Sequence, residues 1–388
     1  MRRIILRVLL VIVVGVAALG LLKREEIARL MAVNTLFDAD RIVGNFSNMD
    51  TLFRTAHVVS PAAAISPLPE GPWMELPDGV ADWLARRNTT GIVILSGGAI
   101  VYEDYFLGTE ATDLRISWSV AKSFLSALLG ILIDEGAIAS LDEPVVTYAP
   151  ALRGSAYETA TIRQVAQMSS GVVFDEDYLD FWSDINRMGR VLALGGSLDD
   201  FTADLTETRG APGEDWLYVS MDTHVLGMVI RGATGRDVPS LMGEKIIGPL
   251  GVQSRAYYVT DSEGVAFALG GLNMMTRDYA RFGQMIAQDG RWQGRQIVPA
   301  GWIDDALSPS APTVQGESQY GLQWWLPADA RPGEAFAIGV YGQYIWIDRA
   351  EDVVIAINAA DQNFEDPGVF EENIDVLRQI TRAAQQVR

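Results

Sequence analysis

Cysteine is absent from all 388 residues, which excludes disulfides, thiol catalysis and cysteine–zinc sites and leaves the redox compartment undetermined. Histidine occurs only twice, as His57 and His224, so a zinc centre would need carboxylates for most of its ligands and no metal is expected. A serine–histidine–aspartate triad has equally few candidates. His57 falls in an N-terminal arm, and His224 follows Ser220 by one helical turn, as a packed helix residue would. No G-x-S-x-G elbow occurs, and "GGLNMMTRDYARFG" lacks the G-x-G-x-x-G of a dinucleotide site. Positive charge is also short. Lysine and arginine total 30 against 50 acidic residues, a formal charge of -20, which leaves no basic face for nucleic acid. Lysine is the scarcest cation: only Lys23, Lys122 and Lys245 carry it.

What is present argues for a folded chain with a membrane-seeking start. The hydrophobic share of 49% suits a large core in one big domain or two lobes, and argues against disorder. Residues 4–22, "IILRVLLVIVVGVAALGLL", are nearly all apolar and as a helix would span about 28 Å, close to a hydrocarbon core. Arg2, Arg3 and Arg7 precede or enter the run, which places the N-terminus in the cytoplasm and the rest outside. Without a clear cleavage site, residues 1–24 read as an uncleaved inner-membrane anchor, a signal peptide being the alternative.

Residues 25–72 read as an arm lying on the main domain and ending in a Pro/Ala linker, "SPAAAISPLPEGP". From 73 to 388 the chain reads as one α+β domain. "TGIVILSGGAIVYEDYFLG" is a hairpin of two β-branched runs joined through Gly97 and Gly98. Helical patterns fill the middle, residues 119–135, 223–232 and 276–288 among them. Strand signals return at "QYGLQWWLP", "EAFAIGVYGQYIWID" and "DVVIAINAA", and a last helix covers about 370–386. Strands at both ends of a helical middle predict one antiparallel sheet flanked by helices, with a helical lobe of about 119–307 inserted.

"SWSVAKSF" places Ser119 and Lys122 on one face at the start of a helix that is apolar nearly all round. A helix N-terminus offers free N–H groups and positive potential, which suit a serine whose attack creates an oxyanion. A lysine in apolar surroundings is disfavoured in its charged form and can serve as a general base, whereas arginine stays protonated. By itself the pair is also compatible with a lysine that snorkels to a surface carboxylate.

The segment resembles the S-x-x-K motif of the serine β-lactamase and penicillin-binding-protein superfamily, in its class C branch of family VIII esterases and 6-aminohexanoate-dimer hydrolases. "RGAPGEDWLYVS" is similar to the segment that carries the second motif, here Tyr218-Val219-Ser220. "IIGPLGV", "GGLNMMTRDYARFGQ" and "GRWQGRQIVPAGWI" resemble further landmarks of the branch, and "GVYGQYIWID" sits where the third motif is expected on an edge strand. The resemblance implies Ser119 as acylated nucleophile, Lys122 as its base, and Tyr218 as relay to the leaving group, through a phenolate or a neutral hydroxyl. It implies an oxyanion hole from the N–H groups of Ser119 and Gln343, with Gly342 opening the strand to substrate. Ser220 either orients Lys122 or Tyr218, or caps the helix "MDTHVLGMVI".

Two departures carry meaning. Val340 stands where the third motif has a lysine or histidine, and Tyr341 replaces its hydroxyl residue, which argues against β-lactamase or D-Ala-D-Ala carboxypeptidase activity. The loop "SSGVVFDEDYLDFWSD" adds Asp175, Glu176, Asp177, Asp180 and Asp184, which as a charge run reads as a solvated face. By the resemblance, Tyr178 would instead bond the scissile amide and Asp184 would meet an amine end of the substrate. The expected function is cofactor-free hydrolysis of small carboxylic esters or linear amides through an acyl-enzyme, ester cleavage being the less demanding chemistry. A catalytically inactive, membrane-tethered binding protein on the same scaffold is the rival reading. Neither the natural substrate nor the oligomeric state is legible.

Overall fold

A computed structural model describes residues 2–59 and 64–387; residues 60–63 of the expected linker lie outside the described residues. Helix α1 (Arg2–Leu22) is long and apolar enough to cross a membrane or to act as a signal sequence, and none of its span is buried against the rest of the chain. Lys23 alone separates it from α2 (Arg24–Asn34), which is followed by α3 (Ile42–Ser47) and strand β1 (Arg54–His57). Then come β2 (Thr89–Ser96), β3 (Ala99–Tyr105), β4 (Arg115–Ile116), α4 (Val120–Asp134), α5 (Asp184–Leu194), α6 (Ser220–Thr234), β5 (Tyr257–Thr260) and β6 (Leu272–Met274). The chain continues through α7 (Thr276–Ala287), the small hairpin β7 (Arg291–Trp292) and β8 (Arg295–Gln296), β9 (Gln319–Tyr320), β10 (Trp325–Leu326), β11 (Glu334–Gly339), β12 (Gln343–Asp348), β13 (Val353–Ala359) and α8 (Val369–Gln386).

The main sheet is antiparallel with seven strands in the order β3-β2-β13-β12-β11-β10-β9, so the N- and C-terminal strands of the domain meet at β2 and β13. The β2–β3 hairpin turns through Gly97 and Gly98, both at positive φ, as its sequence predicts. Side chains alternate across the sheet. Val93, Leu95, Ile345 and Val354 enter the core shared with α4 and α7. Ile92, Ile94, Trp346 and Ile355 enter a second core with Leu377 and Ile380 of α8. Burial on both faces explains why these strands read as continuous apolar runs.

The expected α+β class and antiparallel main sheet are observed, with three corrections. First, the stretch 119–307 is not a purely helical insertion. It holds β5 and β6, which join β4 and β1 in a separate four-stranded sheet, and α7 packs on the main sheet through Phe282, Met285 and Ile286. Second, the arm does more than lie on the domain: β1 pairs with β5 along four residues, Arg54↔Thr260 to His57↔Tyr257. Third, β11 is not an edge strand, because the two-residue strands β9 and β10 extend the sheet beyond it. β10 meets β11 opposite Phe336, well short of Gly339, so among the described residues the end of β11 where the third motif is expected has no strand partner on that side.

Candidate active site

Ser119 occupies the N-cap of α4, preceded by Trp118 at φ 42, a left-handed conformation rare for a bulky residue. An aromatic cluster holds it there. Phe46 of α3 meets the Trp118 ring edge-on at 5.4 Å, and Phe37 stacks on Tyr341 at 4.7 Å. Every residue from Val120 to Leu132 is buried, so α4 is the central helix its sequence predicts.

Lys122 is 2% exposed. Its Nζ lies 2.9 Å from Ser119 Oγ, 3.1 Å from Ser220 Oγ and 3.0 Å from the Leu269 carbonyl oxygen. Burial lowers the ammonium's pKa to about 7, against the opposing pull of the Glu176 carboxylate and of Asp222 in its ionised form. The partners also settle how a neutral amine would sit. Ser220 donates its hydroxyl hydrogen to Glu176, so Ser220 Oγ must accept from Lys122, and the Leu269 carbonyl can only accept. Both N–H bonds are then used, and the single lone pair faces the Ser119 hydroxyl.

Tyr218 stands over this pair, with its ring centroid 5.2 Å from Lys122 Nζ and 5.4 Å from the Trp325 ring. Burial raises the phenol's pKa far above its ordinary value and the Glu176 charge adds to the rise, while a hydrogen bond with Ser119 opposes it. Of the two groups beside Ser119, the lysine is therefore the one that is deprotonated near neutral pH.

Glu176, expected to face solvent within an acidic run, is turned inward. It accepts from Ser220 N–H at 3.0 Å, from the Tyr178 hydroxyl at 2.8 Å and from the Ser220 hydroxyl. Burial raises its pKa, and Lys122 with these donors restrains the rise. Beneath it Asp222 is fully buried on α6, with Oδ1 accepting from Tyr157 at 2.9 Å and Ser170 at 2.8 Å, and Oδ2 without a partner. Burial raises this carboxyl to about 8, which keeps it protonated at neutral pH.

The remaining expected residues divide. Ser220 is the first residue of α6, with Val219 at the N-cap, and its hydroxyl bridges Lys122 and Glu176. Tyr178 and Tyr341 line the cavity at Ser119 together with Val340. Gly342 and Gln343 do not. Gly342, at φ 85, completes the turn and faces Ala359, and the Gln343 side chain is buried as a staple to the carbonyls of Val340, Tyr341 and Ala359. The backbone that reaches Ser119 is one turn earlier: a Cβ on Gly339 would lie 2.6 Å from the Ser117 carbonyl and 3.0 Å from Ser119 N. Among the described residues, neither the Ser119 nor the Val340 N–H has a backbone acceptor. Asp184 also stands apart. It opens α5, where the helix dipole favours an acid, and pairs with Arg187 at 2.6 Å and with the Asp175 N–H. His224 bonds Asp199 at 2.8 Å as a packed helix residue, and His57 lies in β1. Among the described residues no group of side chains is arranged to hold a metal.

Comparison with known proteins agrees with this frame. The family model described as Beta-lactamase matches residues 81–377. The 6-aminohexanoate-dimer hydrolase of Paenarthrobacter ureafaciens is 32% identical over 294 residues, 72% of this chain and 74% of that protein. A Bacillus anthracis structure provisionally named as a 6-aminohexanoate-dimer hydrolase superposes with a TM-score of 0.80 at 23% identity, covering 91% of this chain and 96% of its own. A D-stereospecific amidohydrolase from Streptomyces shares the fold at a TM-score of 0.53 and 20% identity, over 75% of this chain and 99% of that one. The architecture is thus that of the serine β-lactamase and penicillin-binding-protein hydrolases. The chain belongs to the β-lactamase family and is a hydrolase of that superfamily.

Proposed function

We propose that the chain cleaves carboxylic esters or linear amides through an acyl-Ser119 intermediate. Neutral Lys122 takes the Ser119 proton as Oγ attacks the carbonyl carbon, and the N–H groups of Ser119 and Val340 hold the developing oxyanion. Tyr218, as a neutral hydroxyl, passes the proton from Lys122 to the leaving oxygen or nitrogen, and water then releases the acid by the same route in reverse. Gln343 has no part in this oxyanion hole, and Asp184 none in binding an amine. No metal or cofactor enters the reaction.

The observation that supports the reading is the buried Lys122 amine, 2.9 Å from Ser119 Oγ and held near pKa 7 by desolvation. β-Lactam and D-Ala-D-Ala substrates are disfavoured because, among the described residues, no lysine or arginine lines the cavity at Ser119 to receive their carboxylate. In this reading residues 1–24 anchor the protein in a bacterial inner membrane, residues 25–72 are the arm, and the catalytic unit from residue 73 faces the periplasm.

The test is a fluorophosphonate probe with peptide mass spectrometry, alongside p-nitrophenyl esters, nitrocefin and short aminohexanoate amides. Labelling is expected at Ser119 in the wild type and absent in Lys122→Ala. A wild type that no acylating probe modifies would instead mark a binding protein on a hydrolase scaffold.

A further inference from the structure

The cavity at Ser119 is lined almost wholly by apolar side chains, and together with the open solvent at its mouth it offers about 830 Å³ of empty space. One wall is the inward face of α5: Ile185, Met188, Gly189 and Leu192. A further part of the wall comes from the arm that continues directly out of α1, through Val33, Leu36, Phe37, Met49 and Phe53. The floor, Phe267 and Leu269, is the segment whose carbonyl holds Lys122. The arm is fixed in this place: α2 packs along α5, Arg29 Nε donates to the Ala193 carbonyl at 3.2 Å, and Leu36 is 4% exposed.

We propose that this cavity is the acyl-chain site, that the arm is one of its walls, and that the substrates are esters or amides of apolar, medium-length carboxylic acids. The assignment rests on the acyl-Ser119 reading and adds the side of the scissile bond. Tyr218, which must reach the leaving group, is not among the lining residues, whereas Ser119 and Val340 are. A chain lodged here therefore stays attached to the carbonyl carbon after the leaving group departs. With no cation in the lining and few polar atoms, the cavity recovers binding energy from methylenes and rejects a charged acyl group.

Gly189 supplies the test. It lies within α5 at ordinary helical geometry, and a Cβ built there meets nothing within 4 Å. Gly189→Leu thus places its Cβ in open space on a wall of the cavity, adds apolar bulk there and brings in a better helix former. Leu36→Ala enlarges the cavity from the arm side. For the full-length protein in detergent, the readout is kcat/KM on p-nitrophenyl acetate, butyrate, hexanoate and octanoate.

In the wild type it should rise about fourfold per methylene until the cavity is full. Gly189→Leu should cut the octanoate-to-acetate ratio by about tenfold or more, and Leu36→Ala should move the optimum to a longer chain. A flat chain-length profile, or a ratio equal in all three proteins, would overturn the acyl-chain assignment while leaving the hydrolase intact. Failure to cleave any ester together with failure of Ser119 to label would overturn the hydrolase reading itself, and this inference with it.

Discussion

Two buried ionisable side chains set the character of the site, and each leaves a signature in pH. Lys122 is held near 7, below its unfolded value, so the unfolded chain binds the extra proton between about pH 7 and about pH 10.4. Stability therefore rises with pH across that window, and the burden of burying the amine is complete below it. Lys122→Met is expected to lower acylation about a thousandfold. The variant should melt above the wild type at pH 6, with the gap closing towards pH 10; thermal melts at the two pH values check this. Asp222 has the opposite sign. Its folded value of about 8 lies above the unfolded one, so the native state binds the extra proton from about pH 4 upwards and loses stability as pH rises to 8. Asp222→Asn keeps an acceptor for Tyr157 and Ser170 and cannot ionise, so unfolding free energies measured between pH 4 and 8 should flatten relative to the wild type.

At the scale of elements, the site is made where the end of β11 and the loop of residues 173–178 close on the start of α4. Gly339→Ala would press a methyl group on the Ser117 carbonyl and the Ser119 N–H, and a shift of even 1 Å there is expected to lower kcat by about a hundredfold. The melting temperature should change little by comparison, because β11 remains paired with β12 along its length. The loop offers a finer test. Glu176→Gln removes the charge that lifts the Lys122 pKa, so the acid limb of kcat/KM should move to lower pH by up to about one unit. Its amide would also face the Ser220 N–H, at a cost of about 1 kcal/mol in a urea melt. Glu176 shows how far sequence reaches here. The S-x-x-K pair is legible because helical spacing and a rare lysine mark it, whereas Tyr218 is legible only through the resemblance of its segment to the second motif. Glu176 was hidden in a charge run, although Phe174, Glu176 and Tyr178 alternate inward while Val173, Asp175 and Asp177 face out, the period of an extended strand. Gln343 and Gly342 were misplaced by one turn because motif alignment fixes order along the chain, whereas the approach of Gly339 to Ser119 is a distance between elements. The second sheet escaped for a related reason: β4 and β6 span two and three residues and have no period of their own.

For the whole molecule, the question is what the first 59 residues do for the rest. Helix α1 projects from the body with exposed side chains, so deletion of residues 2–22 removes no core contact and should leave melting temperature and hydrolase activity unchanged, while the anchor proposed above predicts that the truncated protein leaves the membrane fraction. Deletion of residues 2–57 is a different operation. It bares the β5 edge that β1 covers. It also strips Leu36, Ile42, Phe46 and Met49 from a core that includes Tyr341 and the walls of the apolar cavity. Each such side chain contributes about 2 kcal/mol on burial, so four of them amount to a large part of the roughly 5–15 kcal/mol by which domains are stable. Trp118 would lose Phe37 and Phe46, the rings that hold its left-handed backbone ahead of the nucleophile. The longer deletion is thus expected to aggregate, or to melt without a cooperative near-ultraviolet transition and without labelling Ser119. If it instead melted and labelled like the shorter one, the arm would be a tether and the site would be complete without it.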